Sequence, residues 1–367
     1  TGLSNTTLTT VAASYGTQFF TLAFVNGAGC QWSLPNQSGW QSQVSALQAE
    51  GGDVSISFGG YTVDTDGSGL GSQCSSAAAM AAQVESVVTT FNVSHLDFDI
   101  ESNEQSSNAD LALTAQALDQ VRLWAGGSGR QLEITYTIPA LPTGLTSDGQ
   151  NVLNTAKANG FTPDIVNIMT MDYGSSGTEM GTAANQALDA VATQLEGSYG
   201  ISAGAAYAKL GNTPMIGQND SPGEITTVAD AATIESYAAS KGIAWVSDWA
   251  QGRDNNGCPN AGYASSTCSG GPPQADGAFT RAFQPFTSGG TSGGGGGGGT
   301  PTPTPTPTPT VTTSSPSGSC ATAWVGNAAY TAGNEVSYQG ANWTANQWNY
   351  DEVPGGASGA WNKNGTC

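Results

Sequence analysis

A stretch that cannot pack a core divides this chain in two. Seven consecutive glycines, Gly293–Gly299, precede a Thr-Pro repeat that runs from Thr300 to Thr310. Glycine-rich chains behave as flexible coils, and Thr-Pro repeats favour an extended, polyproline-like spacer. We therefore predict a linker over 288–319, which separates a large domain, 1–287, from a small one, 320–367.

The large domain alternates short apolar runs with alanine-rich segments of helical periodicity. The apolar runs predict seven strands: Phe19–Val25, Val54–Gly60, His95–Glu101, Leu132–Ile138, Ile165–Asp172, Pro214–Gln218 and Ile243–Trp249. Strands that alternate with helices over this length indicate an α/β fold with a parallel sheet, and a (β/α)8 TIM barrel fits best. Residues 1–18 predict only a loop and a helix that lead into Phe19. We therefore expect the first of the eight strands to lie upstream of Thr1.

Charge and cysteine usage restrict the partners. The 28 acidic and 8 basic side chains give a net charge of −20, which disfavours nucleic acid and anionic membranes as partners. No stretch reaches the ~20 apolar residues of a membrane span. We expect a monomer without metal or cofactor.

The six cysteines fall into three pairs that are local in sequence, and no Cys-x-x-Cys spacing occurs. With a single histidine in the chain, this favours disulfides over a zinc site. The predicted pairs are Cys30 with Cys74, Cys258 with Cys268, and Cys320 with Cys367. Disulfides predict a secreted, extracellular protein.

Three carboxylates alternate with apolar residues in the segment 94–101, Ser-His-Leu-Asp-Phe-Asp-Ile-Glu. Because side chains alternate along a strand, Asp97, Asp99 and Glu101 share one face. If this face points into the barrel, Glu101 lies at the C-terminal mouth, where such barrels hold their active sites. Close carboxylates cannot all be ionised cheaply, so at least one holds a proton near neutral pH, as a general acid requires.

This segment resembles the fourth-strand signature of family 18 glycoside hydrolases, the chitinases. That signature is Asp-x-x-Asp-x-Asp-x-Glu, and Ser94 stands at its first position here. Ser57-Phe58-Gly59-Gly60 is similar to the family's third-strand motif, Ser-x-Gly-Gly. The segment 169–173 is similar to its sixth-strand motif, Met-x-Tyr-Asp, with Met171 at the Tyr position and Tyr173 after the Asp. The resemblance covers roughly residues 19–254.

The resemblance implies a retaining, substrate-assisted hydrolysis of the β-1,4 linkages between the N-acetylglucosamine units of chitin. Glu101 would protonate the glycosidic oxygen, and the acetamido oxygen of the substrate itself would attack the anomeric carbon. Asp99 would bind the acetamido N–H, and Asp97 would share a proton with Asp99. Tyr173 would supply a hydroxyl to the acetamido group. The candidate substrate contacts are Trp249, as a hydrophobic floor, with Asp172, Met171, Gln218 and Tyr136.

The small domain is crowded with aromatic residues. It resembles the small all-β chitin- and cellulose-binding modules of carbohydrate-binding families 5 and 12, through Trp324, Tyr330, Gly333, Val336, Tyr338, Gly340, Trp343, Trp348 and Pro354. The resemblance implies that Trp348 stacks on sugar rings, with Tyr350 compensating for Gln347, which replaces a second tryptophan. We expect Trp324, Tyr338 and Trp343 to form the core.

Two other functions stay open: an endo-β-N-acetylglucosaminidase that acts on glycoproteins, and a non-catalytic chitin-binding lectin. Two further motifs are interpreted as structural. The single histidine, His95, begins the strand that carries the three carboxylates, and no nucleophile elbow accompanies it. We therefore predict that His95 is a hydrogen-bonded structural residue. Asp64–Gly69 begins like a calcium loop, but Ser75 stands where the bidentate Glu belongs, which predicts a turn.

Overall fold

The structure is a computed structural model that describes residues 7–289, 320–324, 329–330, 333–345, 349–350, 353–356 and 360–366. The chain divides into two compact units, Thr1–Gly293 and Gly294–Cys367. The last helix of the large unit runs to Gly289, two residues past the predicted domain end at 287. Nearly all of the predicted linker, 288–319, lies outside the described residues.

Strands and helices alternate along the large unit. The strands are β1 (Phe19–Val25), β2 (Asp53–Gly59), β3 (His95–Asp99), β4 (Glu133–Leu141), β5 (Gly144–Leu145), β6 (Ile165–Met169), β7 (Leu210–Thr213), β8 (Gly217–Gln218), β9 (Ile225–Thr226) and β10 (Trp245–Val246). The α-helices are α1 (Leu8–Tyr15), α2 (Gln37–Ala49), α3 (Tyr61–Asp66), α4 (Leu70–Gln73), α5 (Ala77–Phe91), α6 (Asn108–Gly127), α7 (Ser147–Ala158), α8 (Met180–Tyr199), α9 (Ala203–Tyr207), α10 (Val228–Lys241) and α11 (Ala278–Gly289). Short 3-10 helices cover Ala28–Cys30, Ser102–Ser106 and Gln251–Arg253.

Seven parallel strands make one curled sheet in the order β1-β2-β3-β4-β6-β7-β10. Two short antiparallel pairings, β4 with β5 and β8 with β9, lie off this path. Helices cover the outer side of the sheet, so the large unit has the (β/α)8 TIM-like architecture that the sequence predicts. Within the described residues, no strand pairs with the free edges of β1 and β10.

One strand was predicted at the wrong position along the sequence. The sequence predicts a strand at Pro214–Gln218, but the parallel strand is β7, Leu210–Thr213. Pro214 lacks the N–H that a central strand needs, so the strand ends before it. The predicted residues instead lead into β8, which forms a small hairpin with β9.

The hydrophobic core of the large unit lies between the outer face of the sheet and the helices. Leu96 and Phe98 of β3 point into it, and both are nearly inaccessible to solvent. The Phe58 and Phe98 rings stack with their centroids 4.7 Å apart. Because apolar residues take the outer face of β3, its carboxylates must take the inner face.

The helix ends follow from local chemistry. Ser76 caps α5 by accepting a hydrogen bond from the Ala79 N–H, and α5 ends at Asn92 in the left-handed conformation. Thr227 and Asp230 form a capping box at the start of α10, and Gly242 ends that helix with a φ of 67°. These caps determine where α5 and α10 begin and end.

Two of the predicted disulfides are present, Cys30–Cys74 and Cys258–Cys268. The third prediction involves Cys367, which lies outside the described residues. None of the helices in the described part of the chain is long and apolar enough to cross a membrane.

The described part of the small unit contains five strands. They are β11 (Ala329–Tyr330), β12 (Glu335–Tyr338), β13 (Ala341–Ala345), β14 (Asn349–Tyr350) and β15 (Trp361–Thr366), and β12, β13 and β15 form an antiparallel sheet. Its core contains Val336 and Trp361, with Trp324 and Trp343 packed against it. Trp348 lies outside the described residues, as does the side chain of Tyr350, so their role in sugar binding stays a prediction.

Candidate active site

The side chains of Asp97, Asp99 and Glu101, which we call the carboxylate ladder, lie at the C-terminal end of β3. Asp97 and Asp99 point into the barrel and are 6% and 7% exposed. Glu101 follows two residues after the strand ends at Asp99, and it is partly accessible. The period-two prediction for this segment therefore places the acids in one stack, with Glu101 nearest to solvent.

Hydrogen bonds link the inner face of the sheet from β2 to the end of β10, and we call this chain of side chains the inner ring. Asp97 accepts hydrogen bonds from the Ser57 and Thr137 hydroxyl groups, each 2.6 Å long. The Asn167 amide nitrogen donates to Thr137 Oγ1 at 2.9 Å and to Thr213 Oγ1 at 2.8 Å. Thr213 in turn lies 2.6 Å from the Ser247 hydroxyl. The inner ring therefore consists of Ser57, Asp97, Thr137, Asn167, Thr213 and Ser247.

The acidities of the ladder differ because its members are differently solvated. Burial raises the pKa of Asp97 to about 6, although the Ser57 and Thr137 hydroxyl groups oppose the shift. Burial, followed by the charges of Glu101, Asp97 and Asp64, raises the pKa of Asp99 well above its usual range. Asp99 therefore holds a proton more firmly than Asp97 does.

Glu101 can hold a proton at the mouth of the barrel. Burial raises the pKa of its carboxyl group, and the charge of Asp172 raises it further. The backbone N–H of Tyr61 lies near the carboxyl group and lowers its pKa. A half-buried acid with these neighbours is suited to donate its proton to a bound substrate.

The Asp172–Tyr173 turn is held by groups of the loop between β8 and β9. Asp172 has a φ of 53°, and its carboxylate accepts a hydrogen bond from the Ser221 N–H at 2.7 Å. Glu224 is fully buried and accepts hydrogen bonds from the N–H groups of Tyr173 and Ser175, at 2.9 and 2.7 Å. These contacts fix a strained turn at the mouth of the barrel.

Two polar atoms of the predicted site are buried without a hydrogen-bond partner among the residues that the structure describes. One is Oδ1 of Asp99, and the other is the Tyr173 hydroxyl, which lies beside Thr170 without a hydrogen bond of good geometry. Buried polar atoms are almost always hydrogen-bonded, so atoms left open at a barrel mouth indicate a place for a ligand.

Trp249 follows β10 and is 36% exposed. Its ring stacks on that of Phe24 from β1, with the centroids 5.6 Å apart and an interplanar angle of 26°. An exposed aromatic face beside polar groups is suited to pack against the apolar face of a sugar ring. Phe24 supports this face and was not predicted from the sequence.

Two predicted substrate contacts do not lie open at the mouth. Gln218 is 3% exposed, and its amide nitrogen donates to the backbone carbonyls of Asn219 and Glu224 at 2.9 and 3.2 Å. Tyr136 is 1% exposed, and it packs among the rings of Phe98 and Phe161 on the outer face of the sheet. Both side chains are occupied by structural contacts. Met171, beside Asp172, is partly exposed.

Several residues around the ladder carry no motif. Thr137, Asn167 and Glu224 each lie in segments that read as ordinary strand or loop, and only their contacts distinguish them. Asp64 is the clearest example, because its segment predicts no more than a turn. No group of three or more His, Cys, Asp or Glu side chains that could hold a metal ion occurs in the described part of the chain.

Comparison with known proteins now decides the family. The model of the glycosyl hydrolases family 18 matches residues 5–251. The chain belongs to glycosyl hydrolase family 18. The match includes β1 to β10, the three carboxylates from Asp97 to Glu101, the Asp172–Tyr173 turn and Trp249.

Relatives of this family 18 protein have both sequence and structural similarity. A probable bifunctional chitinase/lysozyme of Escherichia coli is 33% identical over 76% of this chain and 33% of its own length. Endochitinase 11 of Metarhizium anisopliae is 33% identical over 67% of this chain and 49% of its own length. The chain thus matches about half or less of each of these relatives.

Among solved structures, the catalytic domain of a hyperthermophilic chitinase from Pyrococcus furiosus is 29% identical, with a TM-score of 0.69. The similarity covers 78% of this chain and 91% of that domain. A catalytic-site mutant of active domain 2 from the chitinase of that organism, complexed with chito-oligosaccharides, is 28% identical with a TM-score of 0.70. It covers 78% of this chain and 93% of the other.

Proposed function

We propose that this protein is a secreted chitinase that cleaves β-1,4 linkages in chitin with retention of configuration, assisted by the substrate. The observation that carries the proposal is the pair of unpartnered polar atoms, Asp99 Oδ1 and the Tyr173 hydroxyl. An acceptor and a donor together match the N–H and the C=O of an acetamido group. Similarity to chitinases, one of them bound to chito-oligosaccharides, supports the same substrate.

In the first step, Glu101 donates its proton to the glycosidic oxygen and the bond from that oxygen to the anomeric carbon breaks. The acetamido oxygen forms a bond to the anomeric carbon, which produces an oxazolinium ion. Asp99 accepts a hydrogen bond from the acetamido N–H, and the negative charge of the Asp97–Asp99 pair, which shares one proton, stabilises the positive charge. Tyr173 donates its hydroxyl hydrogen to the acetamido group, and Trp249 supports the sugar ring.

In the second step, water attacks the anomeric carbon and gives a proton to the Glu101 carboxylate. The bond to the acetamido oxygen breaks, the amide is restored, and the configuration is retained. A protein carboxylate is not needed as the nucleophile, in contrast to the usual two-carboxylate glycosidases. The raised pKa of Asp99 supports this choice, because a protonated carboxyl group is a poor nucleophile.

The remaining predictions extend the proposal. Two disulfides support an extracellular location. The net charge of −20 supports an uncharged polysaccharide as the partner rather than nucleic acid or a membrane. We propose a monomer whose terminal module binds chitin through Trp348 and Tyr350.

The test is release of reducing ends from colloidal chitin by the wild-type chain and by Glu101→Gln. Loss of the general acid lowers turnover by about 10²–10⁴-fold, while chitin binding is retained. Glu133→Gln is the matched control, because Glu133 begins β4 at the opposite end of the barrel. Near-wild-type turnover of Glu101→Gln would exclude Glu101 as the acid, and an initial α-anomer from a β-linked substrate would exclude retention.

The same assay separates the two alternatives. A chitin-binding lectin binds colloidal chitin but releases no reducing ends. An endo-β-N-acetylglucosaminidase releases glycans from glycoproteins and leaves chitin intact.

A further inference from the structure

A fourth carboxylate contacts the ladder from outside the sheet. Asp64 belongs to α3, which begins directly after the Gly59–Gly60 turn at the end of β2. It is 6% exposed, and its Oδ2 accepts a hydrogen bond from the backbone N–H of Glu101 at 2.6 Å. Its own backbone N–H donates to the Gly60 carbonyl at 3.0 Å, which ties the side chain to the rigid turn.

This hydrogen bond occurs where the sheet stops supporting the chain. The Ile100 N–H still donates to the Thr137 carbonyl on β4 at 2.9 Å. The next N–H, that of Glu101, has no strand beside it, and a 3-10 helix begins at Ser102. Asp64 therefore replaces the missing strand as the partner of Glu101.

Helix α3 lies against both the backbone and the carboxyl group of Glu101. The Tyr61 N–H lies near the Glu101 carboxyl group and lowers its pKa, and Asp64 accepts a hydrogen bond from the Glu101 N–H. The neighbouring segments are joined as well, because the Thr65 and Ser102 hydroxyl groups lie 3.0 Å apart. The position and direction of the acid are thus set by α3 rather than by β3 alone.

We propose that Asp64 is a positioning residue, which holds the Glu101 backbone so that its carboxyl group points at the glycosidic oxygen. This inference rests on the proposed function, because it assigns Glu101 the role of proton donor. Asp64 itself touches neither the substrate nor the reacting atoms. A displacement of about 1 Å in a catalytic group can reduce turnover by about 10²-fold.

The electrostatic surroundings of Asp64 predict its protonation state. Burial, together with the charges of Glu104, Glu101 and Asp66, raises its pKa to about 8 against the opposing hydrogen bond from the Glu101 N–H. At neutral pH the group is therefore a neutral carboxyl that still accepts this hydrogen bond. Above about pH 8 it ionises, and its charge then disfavours proton loss from Glu101.

The experiment compares Asp64→Ala, Asp64→Asn and Asp66→Asn in hydrolysis of a soluble chito-oligosaccharide. Asp64→Ala removes the acceptor, and we expect kcat to fall about 10–100-fold with little change in KM. Asp64→Asn keeps an acceptor oxygen and resembles the neutral carboxyl, so it restores most of kcat near pH 6.5. Because Asp64 is neutral below about pH 8, the pH profile of Asp64→Asn should coincide with that of the wild type up to about that pH.

Asp66→Asn is the matched control. Asp66 lies on the same helix, is exposed, and accepts a hydrogen bond from the Ser68 N–H rather than from Glu101. It should retain the wild-type kcat near pH 6.5. Thermal melts of all variants separate a local effect from unfolding.

The results are distinguishable from a failure of the proposed function. If the wild-type chain releases no product from the oligosaccharide, the proposed function fails. If the wild type is active and Asp64→Ala has the same kcat, the positioning role of Asp64 is refuted. It is also refuted if Asp64→Asn is as impaired as Asp64→Ala while melting like the wild type.

Discussion

Removing one hydroxyl group from the inner ring should shift the acid limb of the activity profile to higher pH. Within the described part of the chain, the Ser57 side chain makes one hydrogen bond, which it donates to Asp97 at 2.6 Å. That bond favours the ionised carboxylate and lowers the pKa of Asp97, while burial raises it to about 6. Ser57→Ala removes the donor and leaves burial unopposed on that oxygen, so the pKa must rise.

The expected size follows from the strength of such a bond. A hydrogen bond to a charged group contributes ~1.5–3 kcal/mol, and one pKa unit corresponds to ~1.36 kcal/mol. The Thr137 hydroxyl still donates to Asp97 in this variant. We therefore expect the acid limb, which reports the coupled Asp97–Asp99 pair, to move up by about one to two units. Thr137→Val should act in the same direction, since it removes the other donor.

The assay is kcat/KM for a soluble chito-oligosaccharide between about pH 4 and about pH 9. Ser55→Ala is the matched control, because Ser55 is also buried on β2 but its hydroxyl has no hydrogen-bond partner among the described residues. Its profile should coincide with that of the wild type. An unchanged acid limb in both Ser57→Ala and Thr137→Val, or a shift to lower pH, would refute the assignment of Asp97.

Two further predictions concern stability. Removing Cys30–Cys74, which closes a loop of 44 residues, should lower the free energy of unfolding by about 4 kcal/mol, whereas removing Cys258–Cys268, which closes 10 residues, should lower it by about 3 kcal/mol. Thermal melts of the paired Cys→Ser variants should therefore show the larger loss for the first disulfide. The reverse order would contradict the loop-entropy argument. The hydrogen bond that the His95 ring donates to the Asp53 carboxylate, with the charge of Glu133, raises the pKa of His95. The stabilising contribution of His95 is therefore complete below about pH 6.5 and is lost as the pH rises through the folded-state pKa. His95→Gln should remove this pH dependence of the melting temperature, and an equally steep dependence in the variant would assign it to other groups.

Periodicity predicted the ladder correctly because β3 is buried on both faces, and polar and apolar residues there alternate without exception from Leu96 to Glu101. β7 was misplaced because Leu210–Thr213 contains glycine and polar residues that face the barrel interior, while Met215 and Ile216 after it are equally buried without being paired in a strand. A hydropathy pattern cannot separate a buried strand from a buried loop of this kind.

The supporting residues of the site were beyond prediction for a different reason. Asp64 is 37 positions from Glu101 in sequence, and Glu224 is 51 from Tyr173. Neither belongs to a motif. The side chains of Asp64 and Glu224 contact the backbone N–H of Glu101 and of Tyr173, and not the side chains of these partners. Gln218 and Tyr136 show the opposite error, because position near a strand end does not determine which face a side chain occupies or whether its polar atoms are already used.

The inner ring restricts which substitutions the interior of this barrel can accept during evolution. Asn167 donates to both Thr137 and Thr213, so the Thr137 hydroxyl hydrogen is left for Asp97. A replacement at Thr213 or Ser247, on the far side of the barrel, therefore bears on the orientation of a donor to the ladder. Substitutions at these positions should be strongly epistatic, and lineages should exchange them in compensated groups rather than singly.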